Sequence, residues 1–111
     1  MFEVYYFPTF ERDAKKILTP TERDLVEKYI IKNLQPHGDT SGDPLTYDFF
    51  REFKIKGKRV YFLVYKEIAI IILVTLSKNK KDQQNVINKI KNNLEFYKQY
   101  AYTLYEINKK S

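Results

Sequence analysis

The stretch Ile68-Ala69-Ile70-Ile71-Ile72-Leu73-Val74 is apolar at every position. A strand with one wet face alternates apolar and polar residues, so an unbroken run rich in β-branched residues implies a central strand covered on both faces. Even when extended to Leu76, the run is about half of the ~20 residues that a membrane-spanning helix requires. The sequence therefore predicts a soluble protein with layers on either side of a sheet. Its 111 residues suit one domain, and a chain of this length buries roughly two-thirds of its unfolded surface without a metal or disulfide staple. Cysteine is absent, which excludes a disulfide framework, a thiolate nucleophile and a cysteine-based zinc site. The opening Met1-Phe2-Glu3-Val4 has no basic n-region, so no signal peptide is expected, and the reducing cytoplasm is the natural compartment.

The elements around that strand can be read from punctuation and period. Phe2 to Phe7 is aromatic and β-branched, a first strand at an edge of the sheet, ended by Pro8. Thr9 can cap a short helix through Ile17 with Phe10, Ala14, Ile17 and Leu18 on one face. Thr21 and Asp24 suggest the cap of a second helix running to about Leu34, so that Thr19-Pro20-Thr21 joins a helical hairpin. Gln35 to Asp43 reads as a loop, and it holds the only histidine, His37, as a solvated residue. From Tyr47 onward the pattern becomes β, with a hairpin turn at Gly57 and a return strand from Arg59 to Tyr65.

From about Asp82 the sequence predicts one long helix. Its stripe of Ile87, Ile90, Leu94, Tyr97, Ala101 and Leu104 is spaced 3, 4, 3, 4, 3. A helix of ~25 residues runs about 37 Å, whereas a seven-residue strand covers only about 23 Å. The end of the helix, residues 97–111, is thus a helical extension of the domain. Either it folds back through a break near Asn92-Asn93, or it buries the stripe against another chain, as in a homodimer through the C-terminal helix.

Charge divides the chain. Residues 1–50 hold six basic and nine acidic side chains, a net −3, while residues 51–111 hold fourteen basic and five acidic, a net +9. Such asymmetry suggests a basic patch for a polyanion, with nucleic acid the leading candidate. A two-residue turn centred on Lys56-Gly57 sets Lys54 opposite Arg59, and one centred on Gly57-Lys58 sets Lys56 there. Either leaves Phe53, Ile55, Val60, Phe62 and Val64 on one face, with Lys54, Lys56, Arg59 and Tyr61 on the other. Like charges facing each other across strands are unfavourable, so a face that collects them is most simply explained by a phosphate-bearing partner. Lys78, Lys80 and Lys81 follow the last strand, and antiparallel pairing would bring them near Arg59. If this is an enzyme, its acid–base groups are Lys, Arg or Tyr: a lysine crowded by other cations loses its proton more readily, and arginines stabilise a phosphorane.

The order strand, helical hairpin, Gly/Pro loop, β-hairpin, apolar strand, basic turn and helix, over about residues 2–95, resembles the RelE/ParE superfamily of toxins from type II toxin–antitoxin operons. Arg51-Glu52-Phe53-Lys54-Ile55-Lys56-Gly57-Lys58-Arg59-Val60-Tyr61-Phe62-Leu63-Val64-Tyr65 is similar to that family's Arg-x-Arg/Lys, Gly-x-Arg-Val-x-Tyr hairpin. The Lys-Lys-Asp-Gln-Gln segment at residues 80–84 also looks like a RelE-type ending.

The resemblance implies an α+β fold with an N-terminal strand, a helical hairpin, a mainly antiparallel three- to four-stranded sheet and a long C-terminal helix. It implies a metal-independent, cofactor-free endoribonuclease that cuts mRNA on the ribosome and is held inactive by a cognate antitoxin protein. Lys54, Arg59, Lys80 and Arg51 would be its catalytic residues, and Lys56, Lys58, Lys78, Lys81 and Tyr61 would bind the nucleic acid. The tyrosine that the family places early in the last helix is missing, since that stretch reads Gln83-Gln84-Asn85-Val86; Tyr61, Tyr65 or Tyr97 would have to substitute. A gyrase inhibitor of the ParE type and a catalytically weakened module that binds antitoxin or nucleic acid are the alternatives.

Overall fold

The computed structural model describes residues 1–110. Strand β1 (Glu3–Tyr6) leads directly into α1 (Pro8–Ile17). Pro8 does end the strand, and it also starts the helix: its fixed φ and missing N–H suit the first helical position. Thr9 is therefore inside α1 rather than its cap, and its hydroxyl donates to the Val74 carbonyl at 2.6 Å. Helix α2 (Pro20–Tyr29) opens with the same proline device. Its cap is Thr19, not Thr21: Thr19 Oγ1 accepts from the Glu22 amide at 3.2 Å, and Glu22 Oε1 accepts from the Thr19 amide at 2.9 Å. The helix continues through a wider π-type turn, Ile30–Leu34, into the short α3 (Gln35–His37), where His37 is exposed.

At the end of the segment read as a loop, β2 (Asp43–Pro44) pairs with β3 (Phe50–Ile55). Strands β4 (Lys58–Tyr65) and β5 (Ile70–Ser77) follow, and among the described residues the sheet has five strands in the order β1-β5-β4-β3-β2. β1 lies parallel to β5 at one edge and the other pairings are antiparallel. The sheet is thus mixed, one strand wider than expected; a strand of only two residues carries too little pattern to show in sequence.

The apolar run is covered on both sides, as its composition demands. Ile71 and Leu73 pack with Phe53, Val60 and Phe62 beneath Phe10, Val26 and Leu34 of the helical hairpin. Ile70, Ile72 and Val74 pack with Phe50, Tyr61 and Leu63 beneath the C-terminal helices. Those helices are two: α4 (Gln83–Lys91) and α5 (Leu94–Lys110), separated at Asn92-Asn93. The break is the outcome that satisfies the stripe. Ile87, Ile90, Tyr97 and Ala101 are buried in this second core layer, and Phe7 meets Tyr97 and Tyr100 edge-on with ring centres 5.1 and 4.8 Å apart. Tyr97 and Ala101 therefore close over the sheet, with Tyr100, Tyr102, Leu104 and Tyr105 partly buried against the same layer, while residues 106–109 are exposed. No helix among the described residues is long and apolar enough to cross a membrane.

Candidate nucleic-acid interface

The β3–β4 turn is Lys56-Gly57, with φ of 47° and 85°. Both central residues are left-handed, as the tight hairpin turns that match strand twist require. Ile55 therefore pairs with Lys58, Lys54 with Arg59 and Glu52 with Tyr61. On the other flank of β4, Arg59 pairs with Ser77, the last residue of β5. Lys54, Arg59 and Ser77 form one row across three neighbouring strands. Asn79 then opens the turn Lys80–Asp82 by accepting from the Asp82 amide, which carries Lys78, Lys80 and Lys81 past the same end of the sheet. Lys54, Lys56, Lys78, Lys80 and Lys81 are all exposed and have no ion-pair partner among the described residues.

Arg59 is held differently. Its Nη1 donates to Glu52 Oε1 at 2.8 Å, and the two side chains are only 12% and 6% exposed, so this is a nearly buried ion pair. Glu52 also accepts from Gln83 Nε2, at 3.2 and 3.1 Å to its two oxygens, a contact that fastens the start of α4 to the sheet. Arg59 Nε is buried without a partner, whereas Nη2 makes no hydrogen bond and keeps solvent contact. The guanidinium is gripped at one end and open at the other.

Three expected site residues lie elsewhere. Arg51 belongs to the opposite face by strand alternation; its guanidinium donates to the carbonyls of Ser41 (2.7 Å), Asp48 (3.0 Å) and Gly42 (3.3 Å), so it braces the loop before β3. Lys58 Nζ is bound to the Ile17 carbonyl at 2.7 Å and to Glu22 Oε1 at 2.6 Å, which ties the helical hairpin to the sheet. Tyr61 is fully buried, with its hydroxyl 2.8 Å from Ser77 Oγ. Burial raises the pKa of its phenol above the ordinary value, so it remains neutral, and no solvent-facing base can stack on it. Tyr65 and Tyr97 are buried in the α5 layer, their phenols also pushed upward by burial, and do not replace the missing tyrosine.

Glu52, Ser77 and Gln83 were not anticipated. Glu52 had a signal: it alternates with Lys54 on a strand, and a carboxylate on a face destined for burial must find a partner. Ser77 and Gln83 had none: the β4–β5 register sets Ser77 beside Arg59, and the packing of α4 against the sheet brings Gln83 to Glu52.

No protein-family model matches the sequence. No curated protein matches it either. Solved structures do match. The chain is similar to the RelBE2 toxin–antitoxin complex from Mycobacterium tuberculosis, with 18% identity and a TM-score of 0.59 over 68% of this chain and 95% of that one. It is similar to the Escherichia coli toxin RelE, an arginine-to-alanine double mutant bound to a peptide of the antitoxin RelB, with 12% identity and a TM-score of 0.63 over 77% and 93% of the two chains. It also matches the isolated Escherichia coli RelE toxin, with 14% identity and a TM-score of 0.61 over 81% of this chain and 99% of that one. The polypeptide thus has the RelE fold.

Proposed function

We propose that this RelE-fold chain is the toxin of a toxin–antitoxin pair, and that it cuts messenger RNA on the ribosome through the cationic row at the end of its sheet. The observation that carries this reading is the register itself. It sets Lys54, Arg59 and Ser77 side by side on three strands, with four further unpaired lysines around them. Cations collected without counter-charges repel one another and persist where a polyanion supplies the missing charge. The solved toxins of this fold, determined in complex with antitoxins, support the partner half of the proposal.

The chemistry needs no group beyond those present. The ribose 2′-oxygen attacks the adjacent phosphorus as its proton leaves, and the 5′-oxygen departs and takes a proton, which leaves a 2′,3′-cyclic phosphate on the upstream fragment. In this scheme Arg59 Nη2 binds a non-bridging oxygen as negative charge grows in the phosphorane. Lys54, exposed opposite it, serves the 2′-hydroxyl, and Lys80 serves the leaving side. Lys56, Lys78 and Lys81 hold neighbouring phosphates.

The test is cleavage of message on programmed ribosomes, with naked RNA as control. Wild type should cut only the bound message, and the Lys54→Ala/Arg59→Ala/Lys80→Ala variant should fold but neither cut nor arrest growth. Growth arrest equal to wild type by the triple variant rejects the site. One observation favours a second reading, that of a weakened module that binds RNA or antitoxin without cutting. Tyr61 is buried and Glu52 is tied to Arg59, so neither offers a free acid or base to the row. RNA binding without cleavage would establish it, and inhibition of DNA gyrase would instead point to the ParE-type alternative.

A further inference from the structure

From the geometry around Arg59 we infer that Glu52, itself held by Gln83, is a positioning residue that fixes the Arg59 guanidinium so that Nη2 faces the RNA phosphate. The inference rests on the RNA-cleaving reading of the cationic row. An arginine on a bare sheet face samples many rotamers, and ordering it on binding opposes affinity. Here that ordering is already done. Glu52 engages Nη1 alone, at 2.8 Å, instead of forming the two-pronged pair that would use both ends of the fork. Nη2 is left unpartnered and in contact with solvent.

Glu52 would be a poor anchor if it could swing outward with the arginine. Gln83 prevents this: its amide donates to both carboxylate oxygens. Ser77, the next residue along the row, is likewise fixed by the Tyr61 hydroxyl. The buried, unpartnered Nε adds a second reason to assign a role here. An N–H left without an acceptor carries a desolvation cost, and a pair chosen for stability alone would satisfy it. A fork held from one side by a single carboxylate leaves it unmet.

A structural pair and a positioning pair predict different couplings. Glu52→Gln preserves shape and can still accept from Nη1 but carries no charge; Gln83→Ala removes the clamp from a partly exposed site. Each should reduce cleavage on programmed ribosomes by about tenfold, the usual effect of removing a residue that orients a functional group. Neither should reduce it further in the Arg59→Ala background, because a residue acting through Arg59 has nothing left to act on. Should wild type bind RNA without cutting it, the same cycle is read from the affinity for a short single-stranded RNA at low salt. Should Glu52→Gln fail to fold, Gln83→Ala carries the cycle. Losses that multiply with that of Arg59→Ala, or wild-type behaviour of a folded Glu52→Gln protein, overturn the positioning role while leaving the cationic row in place. A wild type that neither cuts ribosome-bound message nor binds RNA overturns the RNA reading and the positioning role together.

Discussion

Arg51 and Arg59 carry the same charge on adjacent strands, yet strand alternation and register send them to different tasks. Arg51 binds three backbone carbonyls and the Asp48 carboxylate. Arg51→Ala would orphan those acceptors and should cost about 2–3 kcal/mol, as for hydrogen bonds to a charged donor. Denaturant titration should show that loss, while the protein that remains folded cuts as wild type does. Arg59→Ala should behave in reverse: Gln83 keeps Glu52 hydrogen-bonded and the domain folded, but cleavage falls far more than in Lys81→Ala, since a lysine offers only a point charge. Gly42 marks another local constraint. Its φ is +66°, and a Cβ there would lie 2.2 Å from the Glu52 carbonyl oxygen. Gly42→Ala should destabilise by about 1–3 kcal/mol, again measured by denaturant titration.

Among the described residues one ion pair ties the helical hairpin to the sheet, between Lys58 of β4 and Glu22 of the α2 cap. The hydrogen bond from Lys58, with that from the Thr19 amide, holds the Glu22 pKa below its ordinary value. A carboxyl whose folded pKa lies below its unfolded one contributes fully above the ordinary carboxylate range, and loses that contribution as the pH falls through the folded value. Wild type should therefore lose part of its stability on acidification into and below that range, and Glu22→Gln should flatten that part of the profile; equal profiles in acid melts would disprove the contribution. The C-terminal element is held by packing instead. Tyr97 and Ala101 close the second core layer over Ile70 and Ile72, and Tyr102 donates to Glu67 at 2.6 Å. Tyr97→Ala should cost about 3 kcal/mol or more. Truncation after Phe96 should unfold or grossly loosen the chain, seen as a lost cooperative thermal transition, because it strips Tyr97 and Ala101 from the layer over Ile70 and Ile72.

Over the whole molecule the charge stands at +6, with unpaired lysines gathered where the β3–β4 turn and the end of β5 meet. Binding to RNA should follow counterion release, so raising salt from about 50 to about 200 mM should weaken it at least about tenfold; affinity indifferent to salt would argue against the phosphate-binding face. Much of this architecture is written locally in the chain. The uninterrupted run from Ile68 to Val74 has no polar side to show water, so two covering layers follow from its composition alone, although Ile68 and Ala69 form the turn that precedes β5. Glycine at position 57, between strands of clear period, sets a tight turn near Lys54 and Arg59, although only the folded register decided that the turn is Lys56-Gly57. The charge division announced an excess of cations in residues 51–111. The tertiary structure decided which cations remain free. Arg51, Lys58 and Arg59 are all basic residues of one hairpin, but their partners lie in the loop before β3, in the α2 cap and on the neighbouring strand. Likewise the stripe from Ile87 to Leu104 declares a buried helix face without saying what buries it. That depended on whether the chain breaks at Asn92-Asn93, and the break is stabilised by a sheet and a Phe7 ring that no local pattern connects to it.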